Sequence, residues 1–295
     1  MYQLIEDNQT CAQHLPLSKV CTLLSVSRRE YYAWQHRRII KASLTDHSEI
    51  QLKDRIYRLT LEFPGYGYRR ITKQLQRDGF NVNHKKILKL VKKENLLCRI
   101  RKPNHSHKFI PITTNSAHSF PVYQNLAKDL LLTAINQLWV ADITYIRLKE
   151  EFVYLAVIID AFTRRCIGWE IDYYIDTKLT LQALYKALNF RRNQKLSGLI
   201  HHSDRGGQYA ATEYTDCLKR HNISISMSRP ANPYDNAFAE TFIKTLKYEE
   251  VSLNEYESFS EVYTNVYKFI DVYNKKRLHS SIGYLPPNEF EINHR

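Results

Sequence analysis

No apolar run in this chain is long enough to cross a bilayer. The best candidate, Phe152–Ile159, falls far short of the ~20 residues a spanning helix needs. No charged-then-apolar leader opens the chain either, so a membrane or secreted protein is not expected. Cysteine is sparse: Cys11, Cys21, Cys98, Cys166 and Cys217 make an odd set of 5 without close pairs. That pattern fits reduced thiols in a cytosolic compartment and excludes a disulfide framework or a zinc knuckle. Glycine and proline number only 8 and 9 in 295 residues, and neither low-complexity tracts nor tandem repeats of solenoid length are present. A long heptad stretch is missing as well. The 21 tyrosines come without the Arg-His-Arg-Tyr set that a tyrosine recombinase requires. They read as packing residues with occasional phosphate contacts.

Net charge is also missing from half of the chain. Residues 1–135 carry 23 basic and 10 acidic side chains, and the remainder 20 of each, against totals of 43 and 30. The whole excess of +13 therefore lies upstream, as expected if the front half grips a polyanion. It is densest from His84 to Lys102, where Lys85, Lys86, Lys89, Lys92, Lys93, Arg99, Arg101 and Lys102 face only Glu94. Ile87, Leu88, Val91 and Leu97 give that stretch a packing face. Helices are predicted near 47–62, 68–78 and 83–95, broken at Pro64-Gly65 and Gly79, a pattern that fits a helix-turn-helix unit. Arg69 and Arg70 open its middle helix, where phosphate contact and plain solvation are equal alternatives. A smaller helical unit over 16–36 has Ser25 or Ser27 as a cap. Residues 101–134, with Pro103, Pro111 and Pro121, read as a linker. Beyond them, strands are predicted near 137–147, 152–162 and 166–174, and helices near 177–192 and 212–221.

Three acids stand out in the second half: Asp142 in WVADITYI, Asp204 in HHSDRGGQY and Glu240 in NPYDNAFAETFIKTLK. Asp142 interrupts a β-rich run from Trp139 to Ile146, where a charge is costly unless something compensates it. Asp204 ends a short strand, Leu199–Ser203. Glu240 sits on a helix predicted from Asn236 to Lys247 and capped by Asp235. Singly, each has an ordinary reading as an edge-strand residue, a turn residue before Gly206-Gly207, or a solvated helix residue. Their order and spacing together favour one shared site. Three gathered carboxylates coexist only around divalent cations, and two cations clamp the oxygens of an in-line phosphoryl displacement. On the helix of Glu240, Phe238, Phe242 and Leu246 form a core-facing stripe. Asn236, Glu240, Lys244 and Lys247 share the opposite arc, as either surface Glu–Lys pairs or a phosphate-binding edge. Asp160 is expected in a hairpin turn held by local hydrogen bonds or an ion pair, and His201 and His202 in the strand or core.

The blocks LWVADITYI, FVYLAVIIDAFTRRCIGW, HHSDRGGQY, MSRPANPYDNAFAETFIKTLK and YNKKRLHSSIGYLPPNEF resemble the OrfB-type transposase of a large bacterial insertion-sequence family. The catalytic core of that family resembles retroviral integrases. LSVSRREYYAW and GYGYRRITKQLQRDGFNVNHKKILKLVKKENLL extend the resemblance into the N-terminal half. It departs at Arg229-Pro230-Ala231-Asn232, where the family usually has Lys-Gly between Arg and Asn. In the closing block, Arg277 and His279 either meet DNA or fasten the tail. No His/Cys spacing here matches the N-terminal zinc module of retroviral integrases.

The resemblance implies an α/β fold. A ribonuclease-H-like catalytic domain, a mixed five-stranded sheet with flanking helices, follows all-α helix-turn-helix modules. The expected division is 1–45 for a helical module, 46–100 for the helix-turn-helix domain, 101–134 for the linker and 135–295 for the core and its helical tail. Asp142, Asp204 and Glu240 are implied as ligands of two Mg²⁺ ions, with Mn²⁺ as a substitute, for 3′-end cleavage and strand transfer. DNA contacts are expected from Arg69, Arg70, Lys85, Lys86, Lys89, Lys92, Lys244 and Lys247. The implied partners are element ends, target DNA, further copies of the chain and an upstream OrfA-type protein, in a bacterial cytoplasm. A plain metal-dependent nuclease and a non-catalytic DNA-binding regulator are the alternatives.

Overall fold

The computed structural model describes residues 1–11, 15–98, 118–229 and 236–295, with backbone alone over 39–48. Arg99, Arg101, Lys102, Pro103, Pro111, the Pro230–Asn232 part of the departing loop and the expected cap Asp235 lie outside the described residues. The front of the chain is helical, with α1 at Tyr2–Gln9, α2 at Leu17–Leu23 and α3 at Arg28–Glu62. Ser27 starts α3 through a capping box. Its hydroxyl accepts from the Glu30 N–H, and the Glu30 carboxylate accepts from the Ser27 N–H. No Gly or Pro follows before residue 62, so nothing ends the helix. It runs for 35 residues, straight across the boundary expected at residue 45.

Helix α4 (Tyr68–Arg77) and α5 (His84–Lys93) follow. Between them Gly79 takes φ +91, the left-handed conformation a side chain resists. Asn83 then caps α5 by accepting from the Lys85 N–H at 2.8 Å. Ile71, Leu75, Ile87, Leu90 and Val91 close a core against Leu52, Ile56 and Leu59 of α3. Leu90 takes the inner place that was expected for Leu97, which is exposed.

The second half is built on strands β1 (Leu138–Arg147), β2 (Phe152–Asp160), β3 (Cys166–Asp172), β4 (Ile200–Ser203) and β5 (Ser224–Met227). Their order is β3-β2-β1-β4-β5. The first three form an antiparallel meander, and β4 and β5 join in parallel. Helices α6 (Thr177–Phe190), α7 (Gly207–Ala210) and α8 (Thr212–Arg220) connect the later strands. Three more helices close the chain: α9 (Ala237–Glu249), α10 (Phe259–Lys275) and α11 (Pro287–Ile292).

Side chains alternate along β1 as strand geometry requires. Leu138, Val140 and Ile146 join the core that contains Phe242 and Leu246 of α9. Trp139, Ala141 and Ile143 join the core under α6 and α8. Gly168 of β3 lets α6 approach closely, since a Cβ there would stand 2.3 Å from the Ala183 carbonyl oxygen. Asp160 takes the expected turn role. It accepts from the N–H groups of Asn136, Phe162 and Thr163, and its ion pair is with Arg191 at 3.6 Å. Arg191 also grips Glu291 of α11 in a bidentate pair at 2.7 and 3.0 Å, with both side chains fully buried.

Residues 118–134 lie along the sheet-containing half. Leu126 N–H donates to Ser226 Oγ at 2.8 Å, and Ala127 and Leu132 pack on the core. The helix-turn-helix core also extends into the tail. Leu278 is buried within it, and its N–H donates to Tyr66 Oη at 2.6 Å. Arg277 is buried beside it in a bidentate pair with Glu249, at 2.7 and 2.6 Å. Gly65 lies flat against Glu249, where a Cβ would meet the Glu249 side chain at 2.3 Å. The turn between α3 and α4 therefore abuts the end of α9, the helix that carries Glu240. Arg277 fastens the tail.

Candidate active site

Parity and register bring the acids together. Asp142 lies on the α9-facing row of β1, between Val140 and Thr144. The offset that pairs Leu138 with Ile200 and Val140 with His202 carries Asp142 level with Asp204, just past the end of β4. Adjacent parallel strands at one level present side chains to the same face. From the other side, Asn236 anchors α9 on β1. Its Nδ2 donates to the Ala141 carbonyl at 2.9 Å, and the residue is buried. Glu240 follows four residues later, exposed on the rim. The sequence placed Asn236 on the polar arc but gave no sign of this anchor. Phe242 and Leu246 are buried as the stripe required, and Phe238 packs at its edge.

Electrostatics report the same convergence. Burial first, then the charges of Asp204 and Glu240, push the Asp142 carboxyl up to about 7. The Ile143 N–H and Lys247 oppose that rise only in part. Each aspartate turns one oxygen to neighbouring backbone: Asp142 accepts from Ile143 N–H and Asp204 from Gly206 N–H, both at 2.9 Å. Among the described residues, no three His, Cys, Asp or Glu side chains converge tightly enough to hold a metal ion as they stand.

Lys247 belongs to this cluster. Its ammonium stands 4.3 Å from the Tyr145 ring centroid, burial lowers its pKa, and Asp142 pulls it back up. Lys244 is exposed, 5.9 Å from the Tyr248 ring centroid. Tyr209 in the HHSDRGGQY block is a residue the sequence reading passed over. It is buried beside His201 and Tyr214, its hydroxyl has no hydrogen-bond partner among the described residues, and Asp204 and Asp142 add to its raised pKa after burial and Tyr214. His201 and His202 take their expected core roles. His201 meets the Tyr214 hydroxyl at 3.0 Å, and His202 bridges Ser226 and Ser228 at 2.8 and 3.0 Å.

The remaining predicted DNA contacts stand apart from the carboxylates. Lys85, Lys86, Lys89 and Lys92 are exposed on the outer face of α5, and Arg69 is exposed on α4. Arg70 departs from its neighbour and turns inward to the tail. Its guanidinium lies 5.9 Å from the Tyr66 ring centroid, and its Nε is buried without a hydrogen-bond partner. Burial first, then Arg277, lowers its pKa. It is half-buried between the module and the tail, whereas Arg69 is exposed.

Comparison with known proteins agrees with this architecture. A family model described as an integrase core domain matches residues 133–233, a second of the same description matches 221–287, and an HTH-like domain matches 47–104. The first two, with the sheet order above, define a protein built around an integrase core of the ribonuclease-H-like class. The transposase InsF for insertion sequence IS3A of Escherichia coli (strain K12) is 33% identical over 295 residues, covering 98% of each chain. An insertion element IS600 31 kDa protein of Shigella sonnei is 35% identical over 274 residues, covering 92% of this chain and 97% of that one. The chain belongs to this family of insertion-sequence DNA transposases. Among solved structures, the catalytic core domain of BIV integrase covers 54% of this chain and 95% of its own, with TM-score 0.40 and 19% identity. The HTLV-2 integrase core in complex with magnesium covers 55% and 98%, with TM-score 0.41 and 17% identity. No helix among the described residues is long and apolar enough to cross a membrane.

Proposed function

We propose that Asp142, Asp204 and Glu240 form the catalytic centre of the transposase and hold two Mg²⁺ ions, for which Mn²⁺ substitutes. The observation that carries this is the register that sets Asp142 level with Asp204 at the end of β4, with Asn236 tying the start of the Glu240 helix to β1. Carboxylates that repel one another without a cation are the hard oxygen donor set a divalent ion takes. Bound there, such ions stabilise the attacking and leaving oxygens of an in-line displacement.

The chain's own residues bind and align the DNA. Lys247, half-buried beside Asp142, and Lys244 on the open rim engage phosphates flanking the bond to be broken. Asn236 keeps the start of α9 on β1, so Glu240 stays opposed to the aspartates. Arg69, Lys85, Lys86, Lys89 and Lys92 grip the duplex outside the site. In the first step a water oxygen bonds to phosphorus and the bond from phosphorus to the 3′ oxygen breaks, leaving a 3′-OH. That hydroxyl then attacks a target phosphodiester, where one P–O bond forms and one breaks. Bond number is conserved, so no high-energy cofactor is needed. The working assembly is a homo-oligomer on element ends, joined by an upstream OrfA-type partner, in the bacterial cytoplasm at the nucleoid.

The test is Mg²⁺-dependent joining of a precut terminal oligonucleotide to plasmid, with binding followed by gel shift. Asp142→Asn, Asp204→Asn and Glu240→Gln should each abolish joining, leave binding nearly intact, and combine without further loss. Near-normal joining by any one variant removes that residue from the centre.

A further inference from the structure

We propose that the helix-turn-helix module and the C-terminal tail together form one cleft for the sugar-phosphate backbone of DNA, closed by Tyr284; this rests on the reading of the chain as a DNA transposase. A cavity of about 510 Å³ opens between α4, the turn after it, the start of α5 and Tyr284 of the tail. Its wall holds Arg69, Lys73 and His84, with Gln76 and Asn81, and no Asp or Glu.

The acids bordering α4 are already engaged elsewhere. Asp78 takes Arg55 at 2.6 Å, and Glu289 takes Arg77 at 2.5 Å. Arg69 and Lys73 instead lie against rings: Arg69 is 5.8 Å from the Tyr68 centroid, and the Lys73 ammonium 5.7 Å from that of Tyr284. Aromatic faces orient these cations without cancelling their charge. The cleft is thus positive, hydrogen-bonding and ring-lined, which is the chemistry that takes a phosphodiester and its sugar.

The backbone beneath Tyr284 supports the same role. Gly283 and Tyr284 are successive left-handed residues, φ +71 and +60. A tyrosine there is unusual, and such strain concentrates at functional sites. Tyr284 N–H donates to the His279 carbonyl at 3.0 Å, and His279 N–H to that of Leu285 at 3.1 Å, so the turn is locked with the ring beside Lys73. The cleft also continues from His84 into the exposed lysines of α5. A duplex following that helix therefore crosses ground contributed by the catalytic half of the chain.

The experiment measures affinity of the full chain for a short mixed-sequence duplex between about 50 and 200 mM salt. Arg69→Ala and Lys73→Ala should each reduce the salt slope by about 0.9, the value of one phosphate contact. Tyr284→Ala removes no charge, yet it should weaken binding several-fold by releasing Lys73. Tyr284→Phe should bind as wild type, and adding Tyr284→Ala to Lys73→Ala should change little further. Thermal melts separate a folding loss, and the surface variants Arg69→Ala and Lys73→Ala keep the test open if Tyr284→Ala fails to fold. Unchanged slopes for both basic variants, or wild-type affinity for a folded Tyr284→Ala, overturn the cleft. If wild type itself neither binds duplex nor joins ends, the transposase reading fails instead.

Discussion

Replacing Asp142 with asparagine should stabilise the metal-free protein above neutral pH and strip it of its response to Mg²⁺. The substitution keeps side-chain size and the oxygen that accepts from Ile143 N–H, so the charge is what changes. Raising a carboxyl from 3.8 to about 7 corresponds to ~4 kcal/mol at 1.36 kcal/mol per pH unit. Asp142 keeps some solvent contact, so half of that, ~2 kcal/mol, is the working figure. The sign follows from linkage. A carboxyl whose folded pKa is raised takes up a proton on folding, so its favourable contribution is complete below about 4 and is lost as pH rises through about 7. The variant should therefore match wild type near pH 4 and exceed it by about 2 kcal/mol at about pH 8, roughly 4–8 °C in melting temperature. Added Mg²⁺ should reverse the order, because only the wild type gains binding energy in the folded state. Circular-dichroism melts across pH, with and without Mg²⁺, measure all of this. A metal-free variant that melts below wild type at pH 8, or a gap that does not vary with pH, refutes the reasoning.

Glu291→Gln should cost about 3 kcal/mol, since it leaves the fully buried Arg191, with the half-buried Arg165, beside a neutral partner. Although burial pushes Glu291 up, Arg191, Arg295 and Arg165 outweigh it and hold the carboxyl at about 2. Its stabilisation is thus present above about 4.5 and lost as pH falls towards 2; a urea-midpoint change worth under about 1 kcal/mol would sink the assignment. Gly168→Ala should cost at least ~2 kcal/mol, because its Cβ would stand 2.3 Å from a carbonyl oxygen of α6 and force the helix off the sheet. Wild-type melting of that variant would show that α6 has room to move.

Much of the architecture is local and therefore legible. The run of aromatic and β-branched residues around Asp142, the stripe of Phe238, Phe242 and Leu246, and the glycine between α4 and α5 each announce their element through neighbours in sequence. Asp204 is readable from the turn-forming Gly206-Gly207 beside it. The length of α3 was hidden because the stretch reads as two separate helical units, over 16–36 and 47–62, while the absence of Gly and Pro keeps the helix going. β5, only Ser224–Met227, is too short to show periodicity. Arg70, Asn236 and Tyr209 depended on partners far away in sequence. No local pattern distinguishes an arginine facing phosphate from one facing Tyr66 and Arg277.

The contact of Gly65 and Tyr66 with Glu249 and Leu278 makes the molecule a gauge. A recognition module on a loose tether would let the enzyme attack at a range of distances from the sequence it holds. Here the apolar cluster that seats α5 closes on Leu278 of the tail, and the adjacent Arg277 holds the end of the helix bearing Glu240 through Glu249. The interval along the duplex between gripped base pairs and attacked bond is then a property of the protein. Lengthening the 63–67 turn should move the nick along the DNA instead of merely weakening it, and an element whose recognised sequence drifts by even a base pair from its tip should fall out of step with its own enzyme.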